Sequence, residues 1–289
     1  MKIKVAKHIG FCFGVRRAVN IAEDALNKGG RFFCLGPIIH NPQEVKRLYK
    51  KGLRIVNNVN VLSKGDTLII RSHGLLPELI KFAKGHGIQL IDATCPFVKK
   101  AQNICTMLKK EGFDVIVVGD KHHPEVKALV GFAGGEAFVV ENTRDIENLK
   151  FKNKKIGVLA QTTQSRQNFQ ELGAILLKKC NNKAEFDQIR VFNTICADSA
   201  ARQINAKEIS SSCDAILVIG GKDSANSRRL ANICKRSVPH THHIEVAGDI
   251  NPRWSRKDDC VGIVSGASTP DWIIKDVISK LKAIDSKKK

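Results

Sequence analysis

Nine cysteines occur in the 289 residues, yet no two are spaced as Cys-x-x-Cys. That absence removes the zinc ribbon and the bacterial ferredoxin run. An odd cysteine count in a chain of this length also argues against a disulfide framework. No apolar run approaches the roughly eighteen residues that span a bilayer, and Lys7 and His8 interrupt the apolar stretch that a signal peptide needs. The expectation is a cytoplasmic protein without a membrane partner. Aromatic residues are scarce at 6%, with one tyrosine, so the stacking platforms of single-strand binders are poorly supplied. Acidic residues are few as well, 28 against 48 lysines and arginines, for a formal charge of +20. Basic surface gives non-specific nucleic-acid affinity. Lysine blocks such as 152–155 and the tail 287–289 nevertheless read as solvated faces and a frayed end, and no nucleic-acid partner is expected. Such a surface does draw in an anionic substrate and an acidic electron-donor protein.

What is present is a repeat. Three apolar runs, Ile3 to Cys12, Ile88 to Cys95 and Ile189 to Cys196, end in cysteine. Each is followed by a helical pattern, over 14–28, 96–110 and 197–212, with apolar residues at i, i+3, i+4 spacing. A second position recurs twenty-eight residues after each cysteine, at His40, His123 and Ser224, just past the strands expected over 31–36, 113–119 and 215–221. A third follows a later apolar strand, in Arg71-Ser72-His73-Gly74, Gln161-Thr162-Thr163 and Gly266-Ala267-Ser268. With 43% hydrophobic residues the chain can form several small cores. The expectation is a pseudo-threefold α/β protein of small parallel-sheet lobes over 13–95, 96–196 and 197–289. The last lobe is completed by the N-terminal segment 1–12, whose strand Lys2 to Lys7 supplies its missing partner.

Alone, a cysteine in a strand or helix reads as a small core residue. That reading is kept for Cys34, Cys105, Cys180, Cys213, Cys234 and Cys260. The repeated placement of Cys12, Cys95 and Cys196 at strand-to-helix junctions favours a functional role, since a helix start stabilises a thiolate. Glycines around Cys12 admit a close approach of the backbone. His73 ends a buried strand, where open α/β sheets present ligand-binding residues. His122 reads as a surface residue, whereas His123 and Glu125 share the register of His40. The small donors around Ser224 and Asn226 at a helix N-terminus suit an anion, and Ser268 repeats that chemistry.

The combined motifs resemble the 4-hydroxy-3-methylbut-2-enyl diphosphate reductase family over nearly the whole chain. The resemblance is carried by Gly10-Phe-Cys12 with Gly14-Val-Arg, His40-Asn41-Pro42, Ser72-His73-Gly74 and Asp92-Ala-Thr-Cys95-Pro96. It continues in His123-Pro-Glu125-Val, Gln161-Thr162-Thr163, Ile195-Cys196, Ser224-Ala225-Asn226 and Gly266-Ala-Ser268. It implies three lobes around a central four-iron four-sulfur cluster, with Cys12, Cys95 and Cys196 as ligands and one iron open to substrate. It further implies that His40, His73, Ser224, Ala225, Asn226 and Ser268 hold a diphosphate. His123 assists, Thr162 orients the substrate hydroxyl and Glu125 delivers protons. The implied reaction is a two-electron reductive dehydroxylation giving isopentenyl and dimethylallyl diphosphates, fed by an acidic donor such as ferredoxin or flavodoxin. One departure stands out: the family often has Asn-Ser-Ser-Asn where this chain has Asp223-Ser224-Ala225-Asn226. A three-lobed enzyme of the quinolinate synthase kind and a basic nucleic-acid binder are the alternatives at this point.

Overall fold

The structure, a computed structural model, describes residues 1–181, 186–254 and 256–287. The expected frayed tail at Lys288 and Lys289, and the side chain of Cys180, lie outside the described residues. Along the chain the first stretch runs β1 (Lys2–Val5), α1 (Phe13–Leu26), β2 (Phe32–Leu35), α2 (Pro42–Lys50), β3 (Arg54–Val56), β4 (Thr67–Ile70), α3 (Pro77–Gly85) and β5 (Gln89–Asp92). The second runs α4 (Pro96–Lys110), β6 (Asp114–Val118), α5 (Pro124–Phe132), β7 (Phe138–Val140), α6 (Thr143–Glu147), β8 (Lys155–Ala160), α7 (Arg166–Asn181) and β9 (Gln188–Phe192). The third runs α8 (Ala197–Ser210), β10 (Ala215–Ile219), α9 (Ala225–Ser237), β11 (Thr241–Ile244), β12 (Cys260–Ser265) and α10 (Asp271–Ser286).

The strands form three four-stranded, all-parallel sheets of one plan, ordered β3-β2-β4-β5, β7-β6-β8-β9 and β11-β10-β12-β1. The last sheet is completed by β1, which pairs with β12 from Lys2 opposite Cys260 to Val5 opposite Ile263. The fold is therefore α/β with three sheets, as the repeat leads one to expect. The chain divides into two compact units. One comprises Met1–Arg16, Ile39–Leu48 and Ala197–Lys289, and holds the β1 sheet; the other comprises Arg17–Ile38 and Tyr49–Cys196, and holds the remaining two.

Parallel sheets carry helices on both faces, so their inner strands are apolar throughout rather than alternating. β6 and β10 are buried at every position, while the flanking β1, β5 and β9 are mostly half-buried or exposed. The strand period of two divides the core. Ala215, Leu217 and Ile219 pack with Ile273, Val277 and Leu281 of α10, while Ile216 and Val218 pack with Ala206, Ile209 and Leu230 of α8 and α9. In the second unit Ile116 and Val118 meet Phe169, Leu172 and Leu176 of α7. Val115 and Val117 on the opposite face meet Leu108 and Leu129 of α4 and α5. Each such large side chain taken out of water contributes about 1.5–3 kcal/mol. These covered sheets hold fixed the loops past the strand ends, where the chemistry-bearing residues lie.

Candidate functional site

The repeat reappears in the structure as a repeated hydrogen bond. The Cys12 amide donates to the Ala267 carbonyl at 3.0 Å, the Cys95 amide to the Ser72 carbonyl at 3.0 Å, and the Cys196 amide to the Thr162 carbonyl at 2.8 Å. Each acceptor belongs to the third repeated position, and each cysteine directly precedes its helix. All three thiols are outside any disulfide and half-buried, whereas Cys34, Cys105 and Cys234 are fully buried. The core reading thus holds for those three, and burial pushes Cys34 and Cys105 up to about 12. Cys213 and Cys260 depart from it, being only half-buried.

At Cys12 the Val15 amide donates to Sγ at 3.4 Å, the contact a thiol at a helix start should make. Gly10, at φ +76°, lies where a Cβ would collide with the Asp271 carboxylate, and its amide donates to Ser265 Oγ at 2.9 Å. At Cys95 burial pushes the thiol up, the Phe97 and Val98 amides oppose this, and the neighbouring Cys196 and Glu125 charges add to the rise. The helix start therefore offsets only part of the effect of burial on this thiol. The same interaction brings Cys95, Cys196 and Glu125 into one electrostatic neighbourhood.

In the second unit the site is built on Glu125. Its carboxylate, 1% exposed, accepts from the Thr162 amide at 2.6 Å and from the Thr162 hydroxyl at 2.9 Å. Burial raises it to about 7, the two Thr162 bonds opposing. His123 caps α5, its Nδ1 accepting from the Glu125 amide at 3.1 Å. That bond makes Nε2 the protonated nitrogen of the neutral ring. His73 stands edge-on to the His123 ring, centroids 5.3 Å apart. His122 is exposed, as expected.

In the first unit the corresponding residues gather at the start of α9. Ser224 caps the helix, its Oγ accepting from the Ser227 amide at 3.3 Å. Ala225 opens the helix, and Asn226 follows, 4% exposed, with neither side-chain polar atom partnered among the described residues. Ser268 Oγ donates to the His40 carbonyl at 2.9 Å. Asp223, which directly precedes this cap, is exposed.

The twenty-eight-residue register is offset by one in the first repeat. His123 and Ser224 are helix caps, but it is Asn41, not His40, whose Oδ1 accepts from the Glu44 amide at 2.9 Å. Sequence reasoning also passed over Gln102, which shares the buried face of α4 with Val98, Ala101, Cys105 and Leu108. Its Nε2 has no partner among the described residues and abuts Gly74, at φ +82°, beside His73. A glutamine on an otherwise apolar stripe was the available signal.

The LytB protein family model matches residues 3–282. A protein of Citrifermentans bemidjiense called 4-hydroxy-3-methylbut-2-enyl diphosphate reductase is 47% identical over 288 residues, covering 100% of this chain and 99% of its own. One of the same name from Geobacter sulfurreducens is 44% identical over the full length of both chains. A solved structure of (E)-4-hydroxy-3-methyl-but-2-enyl diphosphate reductase, described as the terminal enzyme of the non-mevalonate pathway, is 43% identical. It matches with a TM-score of 0.69 over 98% of this chain and 100% of its own. The Plasmodium falciparum E-1-hydroxy-2-methyl-but-2-enyl-4-diphosphate reductase structure is 29% identical, with a TM-score of 0.89 over 97% of this chain and 88% of that one.

Proposed function

The chain belongs to the LytB protein family, and from that membership we infer that it is an oxidoreductase. It converts (E)-4-hydroxy-3-methylbut-2-enyl diphosphate to isopentenyl and dimethylallyl diphosphates, a step of isoprenoid biosynthesis. Two electrons and two protons enter, the carbon–oxygen bond to the hydroxyl breaks, and that oxygen leaves as water. The family is one of iron-sulfur enzymes. For this chain the proposal is a single four-iron four-sulfur cluster held by Cys12, Cys95 and Cys196, with one iron left for substrate. The donor set fits, because these three thiols are outside any disulfide, half-buried and fastened through the same backbone bond, in contrast to the fully buried Cys34, Cys105 and Cys234. When bound, such a cluster supplies single electrons and a Lewis-acidic iron.

The remaining steps belong to the protein's own residues. His40, Ser224, the Ala225 amide, Asn226 and Ser268, with His73 and His123, bind the diphosphate. In this role the α9 N-terminus contributes its free amides and dipole. Asn226 suits the task because its buried amide has both polar atoms available. His123 presents Nε2–H as a donor, because its Nδ1 is engaged by the Glu125 amide. Thr162 orients the substrate hydroxyl. Burial raises Glu125 to about 7, which keeps a proton available to it near neutral pH, as a proton donor needs. Its proton passes through Thr162 Oγ to the leaving oxygen. The formal charge of +20 supports an acidic ferredoxin- or flavodoxin-like donor, in the cytoplasmic setting proposed for this exchange. Among the described residues no helix is long and apolar enough to cross a membrane. The identical strand order of the three sheets supports lobes at 13–95, 96–196 and 197–289 with 1–12.

The observation that carries the cluster assignment is the identical fastening of the three cysteine amides. Anaerobic isolation followed by iron and acid-labile sulfide analysis and electron paramagnetic resonance tests it. Close to four irons and four sulfides per chain are expected. A colourless, iron-free protein with intact fold would remove the assignment.

A further inference from the structure

Two thiols outside the three repeated junctions face each other directly. Cys213 lies two residues before β10 and Cys260 opens β12, the strand paired with it. Their sulfurs are 3.3 Å apart, both side chains are half-buried, and neither is in a disulfide. The surrounding backbone clamps them, because the Asp214 amide donates to the Cys260 carbonyl at 2.8 Å and the Cys260 amide donates to Asp214 Oδ2 at 2.7 Å. Joining the sulfurs at about 2.05 Å requires them to close by roughly 1.2 Å. Small side-chain rotations at a half-exposed site supply that movement. Lys4, whose ammonium donates to the Ser212 carbonyl at 3.2 Å, stabilises a thiolate forming at Cys213.

We propose that Cys213 and Cys260 form a thiol-modification site, a dithiol that a low-molecular-weight disulfide converts into an intramolecular disulfide stapling β10 to β12. One protein thiolate attacks the reagent disulfide, giving a mixed disulfide and releasing one reagent thiol. The second protein thiolate then attacks that mixed disulfide and releases the other. Two protein S–H bonds are lost, one S–S bond forms and the reagent is reduced to two thiols. Burial, and then the facing Cys260, push Cys213 up to about 11, so the pair is slow to react at neutral pH. The site is separate from the proposed chemistry. Cys260 begins β12, while Gly266 to Ser268 follow its far end, six strand residues away at about 3.3 Å each.

The test treats the anaerobic holoprotein with a slight excess of oxidised glutathione or dithiodipyridine, followed by peptide mapping without reduction. A peptide pair joined through Cys213 and Cys260 is expected, with iron content and turnover unchanged. Closing a loop of this length should also raise the melting temperature by several degrees, reversibly with dithiothreitol, and not in Cys260→Ser. Separate mixed disulfides that never resolve, or the same melting shift in Cys260→Ser, would overturn the proposal.

Discussion

Replacing Glu125 by glutamine removes an ionisable proton while keeping the side chain's shape, and it bears on both stability and turnover. The parent carboxyl lies 1% exposed, with both oxygens engaged by Thr162 and its pKa raised from 4.5 to about 7. A carboxyl whose folded pKa lies above its unfolded value contributes stability that is complete below about 4.5. That contribution is lost as the pH rises through about 7. At 1.36 kcal/mol for each unit, the loss is about 3 kcal/mol. The Gln variant has no such titration, so in the metal-free protein its denaturant stability relative to the parent should rise by up to about 3 kcal/mol between pH 4.5 and 7.5. Turnover should move the other way. Removing a positioned proton donor lowers kcat by on the order of 10² to 10⁴, with KM little changed because the diphosphate ligands lie elsewhere. Iron content is the internal control. A fully iron-loaded Gln variant turning over within a few-fold of the parent would refute the proton-donor role and shift attention to His123. A flat stability difference across that pH range would refute the burial argument.

Three further outcomes follow from the same geometry. Cys12→Ser, Cys95→Ser and Cys196→Ser should each lose iron and activity by iron assay, whereas Cys34→Ala or Cys105→Ala should keep iron and cost about 1 kcal/mol of stability through a small core cavity; equal iron loss in both sets would contradict the ligand assignment. His40→Ala and Asn226→Ala should raise KM by roughly 10- to 100-fold, the effect of losing a hydrogen bond to a charged group, and inorganic diphosphate should compete with substrate. Gly10→Ala places a Cβ at φ +76° against the Asp271 carboxylate and should lower the unfolding free energy by about 1–3 kcal/mol in a denaturant titration.

The repeat made most of the architecture legible, because fully buried central strands are continuous apolar runs that end at glycine or polar loops. α4 begins at Pro96 and ends at Lys110, as its apolar spacing predicts. The outer strands β3, β7 and β11 did not stand out, since β3 and β7 are only three residues long and β11 reads Thr-His-His-Ile. Three residues show no periodicity, and two adjacent histidines break both alternation and an apolar run. The cysteines were legible from placement, but the carbonyls that fasten their amides were not, because backbone partners leave no trace in residue identity. The one-residue offset between His40 and the Asn41 cap was hidden for the same reason: a register counts residues, while a cap depends on which side chain reaches the first turn. The facing of Cys213 and Cys260 is a matter of strand pairing across 47 residues, which no local pattern encodes.

The central claim is the reaction itself, and it is tested most directly by anaerobic turnover. Iron-loaded protein, a dithionite-reduced viologen and (E)-4-hydroxy-3-methylbut-2-enyl diphosphate should yield isopentenyl and dimethylallyl diphosphates, with two viologen electrons consumed for each molecule formed. Iron-loaded protein that binds the diphosphate yet oxidises no viologen and forms neither product would contradict the account.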